Sequence, residues 1–186
     1  MSRIGKKLIA IPSGVEIKVD QGFVSVKGSK GELKMALHPH VFVIVENGEI
    51  KVTVKEPDEK DDRALWGLYG SMIKNMITGV TKGFEKKLEI NGIGYKAQVS
   101  GDKIVLSLGF SHAVDFPLPK GINAKIDKNI ISLDGIDKQL VGEMAARLRA
   151  LKPPEPYKGK GIKYVDETIV KKAGKAAKAA GAGRAA

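Results

Sequence analysis

The chain has 186 residues, 42% hydrophobic and 28% charged, with no cysteine. That balance suits a soluble globular protein of one or two domains, and the absence of cysteine excludes disulfides and thiolate metal sites. The 32 Lys and Arg against 21 Asp and Glu leave a net charge of +11, which points toward a polyanionic partner.

The opening MSRIGKKLIAIPSG mixes basic and apolar residues, but Pro12 interrupts it and no small-residue cleavage pattern follows. It reads as mature protein with the cytoplasm as its expected setting. No apolar run approaches the roughly 18–20 residues of a membrane span, so no membrane partner is expected. Short alternating runs come next: VEIKV at 15–19, FVSVKG at 23–28, ELKMAL at 32–37, VFVIVE at 41–46 and EIKVTV at 49–54. The pair Asn47-Gly48 between the last two suits a tight hairpin turn, because both residues readily take positive φ.

After the polar linker KEPDEKDD the period lengthens. Leu65, Leu68, Met72 and Met76 recur at three- to four-residue spacing, and Trp66, Tyr69 and Ile73 widen the stripe. This predicts a helix capped by Asp61 or Asp62, closed by Gly79 and packed on a sheet. The second half repeats the plan. KKLEI, YKAQVS, KIVLSL, AVDFPL and NIISL are strand-like, and a helix with Leu140, Met144, Leu148 and Leu151 on one side follows Asp137. Sliding the helices together pairs Asp62 with Asp137, Leu65 with Leu140, Gly67 with Gly142 and Ile73 with Leu148, each 75 positions apart. A period that long indicates a duplicated domain.

The expected architecture is therefore α+β, with two tandem similar domains, each a small mostly antiparallel sheet packed with one helix. Residues 1–81 form the first domain and 82–172 the second. Residues 173–186 form a basic Ala/Gly-rich tail, disordered when free.

Candidate catalytic features are weak. NGIGYKA at 91–97 matches a G-x-G-x-x-A dinucleotide fingerprint, yet strand-like sequence follows where that motif needs a helix. Gly-Lys pairs are never followed by Ser or Thr, so there is no Walker loop. His38 and His40 flank Pro39 in a turn without an evident third metal ligand, and His112 near Ser111 and Asp115 lacks a nucleophile elbow. Glu56, Asp58, Glu59, Asp61 and Asp62 read as linker charges plus a helix cap. No catalytic residue, metal ligand or cofactor is assigned, and an enzyme is not expected.

The charge excess is concentrated at one end. From Arg147 onward lie eleven of the basic residues against Glu155, Asp166 and Glu167 alone. Arg147, Arg149 and Lys152 could simply complement the dipole of the second helix. The lysines beyond them have no such explanation. In PPEPYKGKGIKY at 153–164, the prolines stiffen the exit from the helix and Gly159 and Gly161 let backbone N–H groups approach phosphates. Lys158, Lys160 and Lys163 add point charges, Lys171 and Lys172 extend the basic run, and Tyr157 and Tyr164 offer stacking surfaces. Tyr164 fits equally well in a last strand, IKYV.

PEPYKGKGI at 154–162 resembles the signature of the bacterial large-subunit ribosomal protein six family, as do SRIGKKLIAIPSGV, VSVKGSKGEL and LEINGIGYKA. The resemblance covers almost the whole chain. Leu8 and Ser29 stand where the family pattern has prolines, and the tail past Lys175 is longer than the pattern requires. The resemblance implies two domains of one α+β fold and a structural role in the large ribosomal subunit, supporting translation. It implies binding to large-subunit (23S) rRNA mainly through the second domain, near the base of the factor-binding stalk. Neighbouring ribosomal proteins are implied partners, and translation factors are candidate neighbours. The signature carries RNA contact onto Tyr157, Lys158, Gly159, Lys160 and Gly161, and charge alone adds Arg3, Lys6 and Lys7 as weaker candidates. A nonspecific nucleic-acid or chromatin-like binder using the same basic tail is the competing reading, and an enzyme site assembled from distant residues around His112 is a third.

Overall fold

The computed structural model describes residues 7–20, 22–46 and 48–172. Its chain divides into two compact units. One runs through Phe84 and takes in Gly135–Gln139; the other comprises Glu85–Asp134 and the residues from Leu140 onward.

The first unit contains β1 (Ile9–Ala10), β2 (Glu16–Asp20), β3 (Phe23–Gly28), β4 (Gly31–Ala36), β5 (Val41–Glu46), β6 (Glu49–Val54) and α1 (Lys60–Thr81). The strands form two antiparallel three-stranded sheets, ordered β2-β3-β4 and β1-β6-β5. Register puts Val24 opposite Met35 and Val26 opposite Leu33, so one face of that sheet is apolar. Val24, Val26, Ile50 and Val52 are buried with Trp66, Ile73, Ile77 and Val80 of α1 in one core. The Trp66 indole stays satisfied there by donating from Nε1 to the Val52 carbonyl at 2.7 Å.

The helix differs from the sequence expectation in three places. Leu68, assigned to the apolar stripe, is 52% exposed. The buried line runs through Trp66, Gly70, Ile73, Ile77 and Val80, and Leu68 lies about 200° around the helix from Trp66. Gly79 is a buried residue inside the helix, which ends at Thr81. The stop is made by Gly83 instead, whose φ of 79° allows Lys82 and Gly83 both to donate to the Thr78 carbonyl. Finally, the N-cap is Glu59, with no side-chain cap, and Asp62 does other work.

Asp62 is 2% exposed, yet its carboxylate is fully engaged. Oδ1 lies 2.8 Å from His40 Nδ1 and Oδ2 accepts the Glu56 N–H at 2.9 Å, tying the turn before β5 to the linker before α1. The hydrogen bond from His40 holds the Asp62 carboxyl below the usual aspartate range, against the upward pull of burial and with help from the Glu56 N–H. A depressed folded pKa adds stability above the unfolded value, near 4, that is lost as pH falls through the folded value. Asp62→Asn is therefore expected to melt below the wild type at neutral pH, with the gap closing in acid. Melting curves measured from pH 7 to pH 2 check this, and a gap that widens in acid would contradict it.

The second unit repeats the order. Counting Phe84, Gly135, Lys138 and Gln139, which belong to the first unit, this repeat comprises β7 (Phe84–Asn91), β8 (Lys96–Ser100), β9 (Lys103–Ser107), β10 (Val114–Pro117), β11 (Ile122–Asp127), β12 (Ile130–Gly135), α2 (Lys138–Leu151) and β13 (Gly161–Tyr164). Its sheets are ordered β10-β9-β8 and β11-β12-β7-β13. The β8-β9-β10 sheet matches β2-β3-β4, and β7, β12 and β11 stand in the places of β1, β6 and β5. The fold is α+β and built from two similar repeats, each with two small sheets where one was expected. β11 was not among the predicted strands, although Ile122, Ala124 and Ile126 alternate in it.

Helix and strand registers differ between the repeats for a simple reason. Trp66, Gly70 and Ile73 correspond to Val141, Ala145 and Leu148, all buried and 75 positions apart. The strands are 80 or 81 apart, as in Phe23 with Lys103 and Val41 with Ile122. The five-residue linker at 55–59 before α1 shrinks to Ile136 and Asp137 before α2, and α2 begins three positions later in the matched register, which together absorb the difference. At the start of α2, Asp137 Oδ1 accepts the Gln139 N–H at 2.8 Å. Among the described residues no helix is long and apolar enough to cross a membrane.

Candidate nucleic-acid interface

Proline stops α2 and the chain folds back on itself. Beyond Leu151, the Ile162 N–H donates to the Lys152 carbonyl at 2.7 Å and the Glu155 N–H to the Lys160 carbonyl at 2.9 Å. Residues 152–162 thus form a closed loop, not the extended exit expected from three prolines. Gly161 permits the closure: its φ is 139°, and a Cβ there would lie 2.6 Å from the Pro153 carbonyl oxygen and 2.8 Å from that of Lys152. The Gly159 N–H donates to the Glu155 carbonyl at 3.1 Å. It is consumed inside the loop, so the phosphate-cradling role read from the sequence does not hold for that group. These glycines shape the loop that presents the lysines.

The loop leads into β13, which pairs antiparallel with β7 and sets Gly161 opposite Asn91, Ile162 opposite Ile90 and Lys163 opposite Glu89. Ile162 is fully buried, which anchors the strand. The Lys163 ammonium is 3.0 Å from Glu89 across the pair. Tyr164 lies in the strand, half-buried, with the Lys86 ammonium 5.7 Å from its ring centroid. The strand reading of IKYV holds through Tyr164, with Val165 already in the following turn, and Tyr164 offers less free surface than Tyr157, which is 58% exposed.

A fork secures the following segment. Arg149 donates from Nε to Glu167 Oε2 at 2.8 Å and from a terminal nitrogen to Oε1 at 2.5 Å, while the Tyr164 N–H reaches Oε2 at 3.2 Å. The hydrogen bonds from Arg149 hold the Glu167 carboxyl below its usual range, against partial burial. Arg149, read from the sequence as an RNA contact, is thus committed to positioning residues 164–167. Arg147 is paired with Glu143 at 2.5 Å on the exposed face of α2. The Lys172 N–H donates to the Pro156 carbonyl at 2.8 Å, which returns the chain alongside the loop.

These connections set Lys158, Lys163 and Lys171 around a shallow cleft that Asn91, Gly159, Thr168, Ile169 and the acids Asp166 and Glu167 also line. Lys158, Lys171 and Lys172 are exposed, and among the described residues none of them is ion-paired. Lys160 is half-buried. Lys152 places its ammonium 4.6 Å from the centroid of the Phe110 ring. Of the weaker candidates, Lys7 is an exposed residue of the first unit; Arg3, Lys6 and the tail at 173–186 lie outside the described residues. Asn91 and Thr168 were missed because neither carries charge and their nearness to the lysines depends on strand pairing.

The catalytic alternatives find little geometry. NGIGYKA leads directly into β8, with no helix to receive a pyrophosphate. Ser111 Oγ is 3.4 Å from His112 Nδ1 on an exposed turn, but Asp115 is engaged by Lys103 at 2.6 Å.

A family model described as Ribosomal protein L6 matches residues 11–83 and again 91–165, one match to each repeat. The chain belongs to this family. The L6-family assignment agrees with full-length similarity to proteins named large ribosomal subunit protein uL6. The one from Desulforapulum autotrophicum is 56% identical, with 95% of this chain and 99% of the relative covered. That from Desulfatibacillum aliphaticivorans is 54% identical over 94% of this chain and 98% of its own length. That from Campylobacter curvus is 50% identical over 96% and 99%. The loop and β13 fall within the second L6 match, and Lys171 and Lys172 lie just beyond it.

Proposed function

We propose that the chain is a non-catalytic structural component of the large ribosomal subunit, in the cytoplasmic ribosome. It binds large-subunit rRNA chiefly through its second unit, near the base of the factor-binding stalk and beside other large-subunit proteins. The observation that carries the RNA contact is the cleft at β13. Among the described residues Lys158 and Lys171 flank it without ion pairs, of the two acids that also line it Glu167 is bound by Arg149, and Tyr157 stands exposed next to Lys158. Lysines on a closed, internally bonded loop lose little conformational freedom on meeting phosphates. Contacts of this kind read backbone and shape more than base edges. Arg149 and Lys163 serve the same surface indirectly, by fixing residues 163–167 against α2 and β7.

Chemical footprinting on isolated large-subunit rRNA, near physiological salt, tests this reading. A compact protected site is expected. Diffuse protection that fades as salt rises would instead favour a general polyanion binder.

A further inference from the structure

Phe110 is 44% exposed on the turn between β9 and β10, whereas Phe116 of the same hairpin is 8% exposed. Core packing accounts for Phe116 but leaves nearly half of Phe110 open to solvent. The turn is joined to two neighbours. A Cβ on Gly92 would come within 2.6 Å of the Tyr95 ring and one on Gly109 within 3.2 Å, so that ring locks the turn after β7 to the turn before β10. Asn91, which opens the first turn, lies opposite Gly161 of the lysine loop. Lys152, where that loop begins, rests against Phe110. Ile93, at the tip of the first turn, is 94% exposed.

Three turns of the second unit are thus joined around Tyr95 and Phe110, with a cation against the Phe110 ring. Within residues 91–115 the acids are Asp102, in the turn between β8 and β9 at the other end of β9 from Phe110, and Asp115, which is paired with Lys103, while Glu89 is paired with Lys163. A patch of aromatic surface and uncompensated positive charge suits an unpaired nucleotide, whose base stacks while its phosphate meets the ammonium.

We infer that Phe110 is a further RNA-contacting residue: it stacks on an unpaired base of the bound RNA, and Lys152 meets that nucleotide's phosphate. The inference rests on the RNA-binding reading of the second unit and adds a base contact to its phosphate contacts. Stacking is uncharged, so its loss should weaken binding without changing the dependence on salt.

The test titrates isolated large-subunit rRNA with the full chain at several salt concentrations. Phe110→Ala is expected to bind roughly five- to 150-fold more weakly with an unchanged log–log salt slope. Phe110→Tyr keeps the ring face and should restore wild-type affinity, which separates stacking from a merely structural role. Wild-type affinity for Phe110→Ala, or equal weakness of Phe110→Tyr, would overturn the inference. Lys158→Gln in the same assay keeps the two proposals apart. If it lowers the slope while Phe110→Ala binds normally, only the stacking contact fails. A wild-type chain without saturable binding would strike the RNA-binding reading, and this inference with it.

Discussion

Gly161→Ala is expected to destabilise the second unit by roughly 3 kcal/mol, lowering its melting temperature by about 10 °C or more. Two costs add. The backbone at this position has φ of 139°, a conformation side chains rarely adopt. A methyl group would also meet the Pro153 and Lys152 carbonyl oxygens at 2.6 and 2.8 Å, both of them backbone atoms. Relieving that clash means opening the loop, which would break the bond from Ile162 to Lys152 and disturb the start of β13. RNA affinity should fall with it, since the lysines would lose their common frame. Gly159→Ala is the control: its φ of 74° is also unfavourable, but the nearest atoms to a new Cβ are 3.9 Å away. It should cost only about 1 kcal/mol. Equal melting temperatures for the two variants would show that the close backbone approach is not what selects glycine at 161.

The second large effect concerns charge. Each of Lys158→Gln and Lys171→Gln should reduce the slope of log affinity against log salt by roughly 0.7–0.9. Together they should weaken rRNA binding by roughly a factor of 40 at 0.1 M salt, if the difference vanishes near 1 M. Lys163→Gln should change the slope less, because Glu89 already compensates that ammonium at 3.0 Å. A slope untouched by the Lys158 and Lys171 changes would remove both from the interface. A Lys163 effect as large as theirs would instead mean that the pair with Glu89 breaks on binding.

Much of the fold was legible because it is local. Alternation in FVSVKG, VFVIVE and EIKVTV marked β3, β5 and β6 to the residue. The 75-residue match of the helices marked the duplication. What misled was equally local in form: Leu68 has helical spacing but the wrong phase, Gly79 looks like a stop yet lies buried in α1, and Asp62 looks like a cap. Their roles depend on which helix face meets the sheet and on where His40 and Glu56 arrive, information carried by distant parts of the chain.

The candidate site divides in the same way. Composition and spacing by themselves determined that the positive charge is concentrated after Arg147, that glycines and prolines break up the segment after α2, and that no nucleophile or phosphate-loop motif competes with it. Only the tertiary structure decided which of the described cations are ion-paired. Arg149 and Lys163 are drawn into pairs by Glu167, 18 positions along, and by Glu89 across a strand pair, whereas Lys158 and Lys171 are left facing one cleft. It also tied the Gly159 N–H to the Glu155 carbonyl, made Gly161 the position that permits loop closure, and put Phe110 beside Lys152. The physical reason is range: secondary structure and net charge follow from neighbours in sequence, while the partner of a charge or a backbone N–H follows from strand pairing and loop closure.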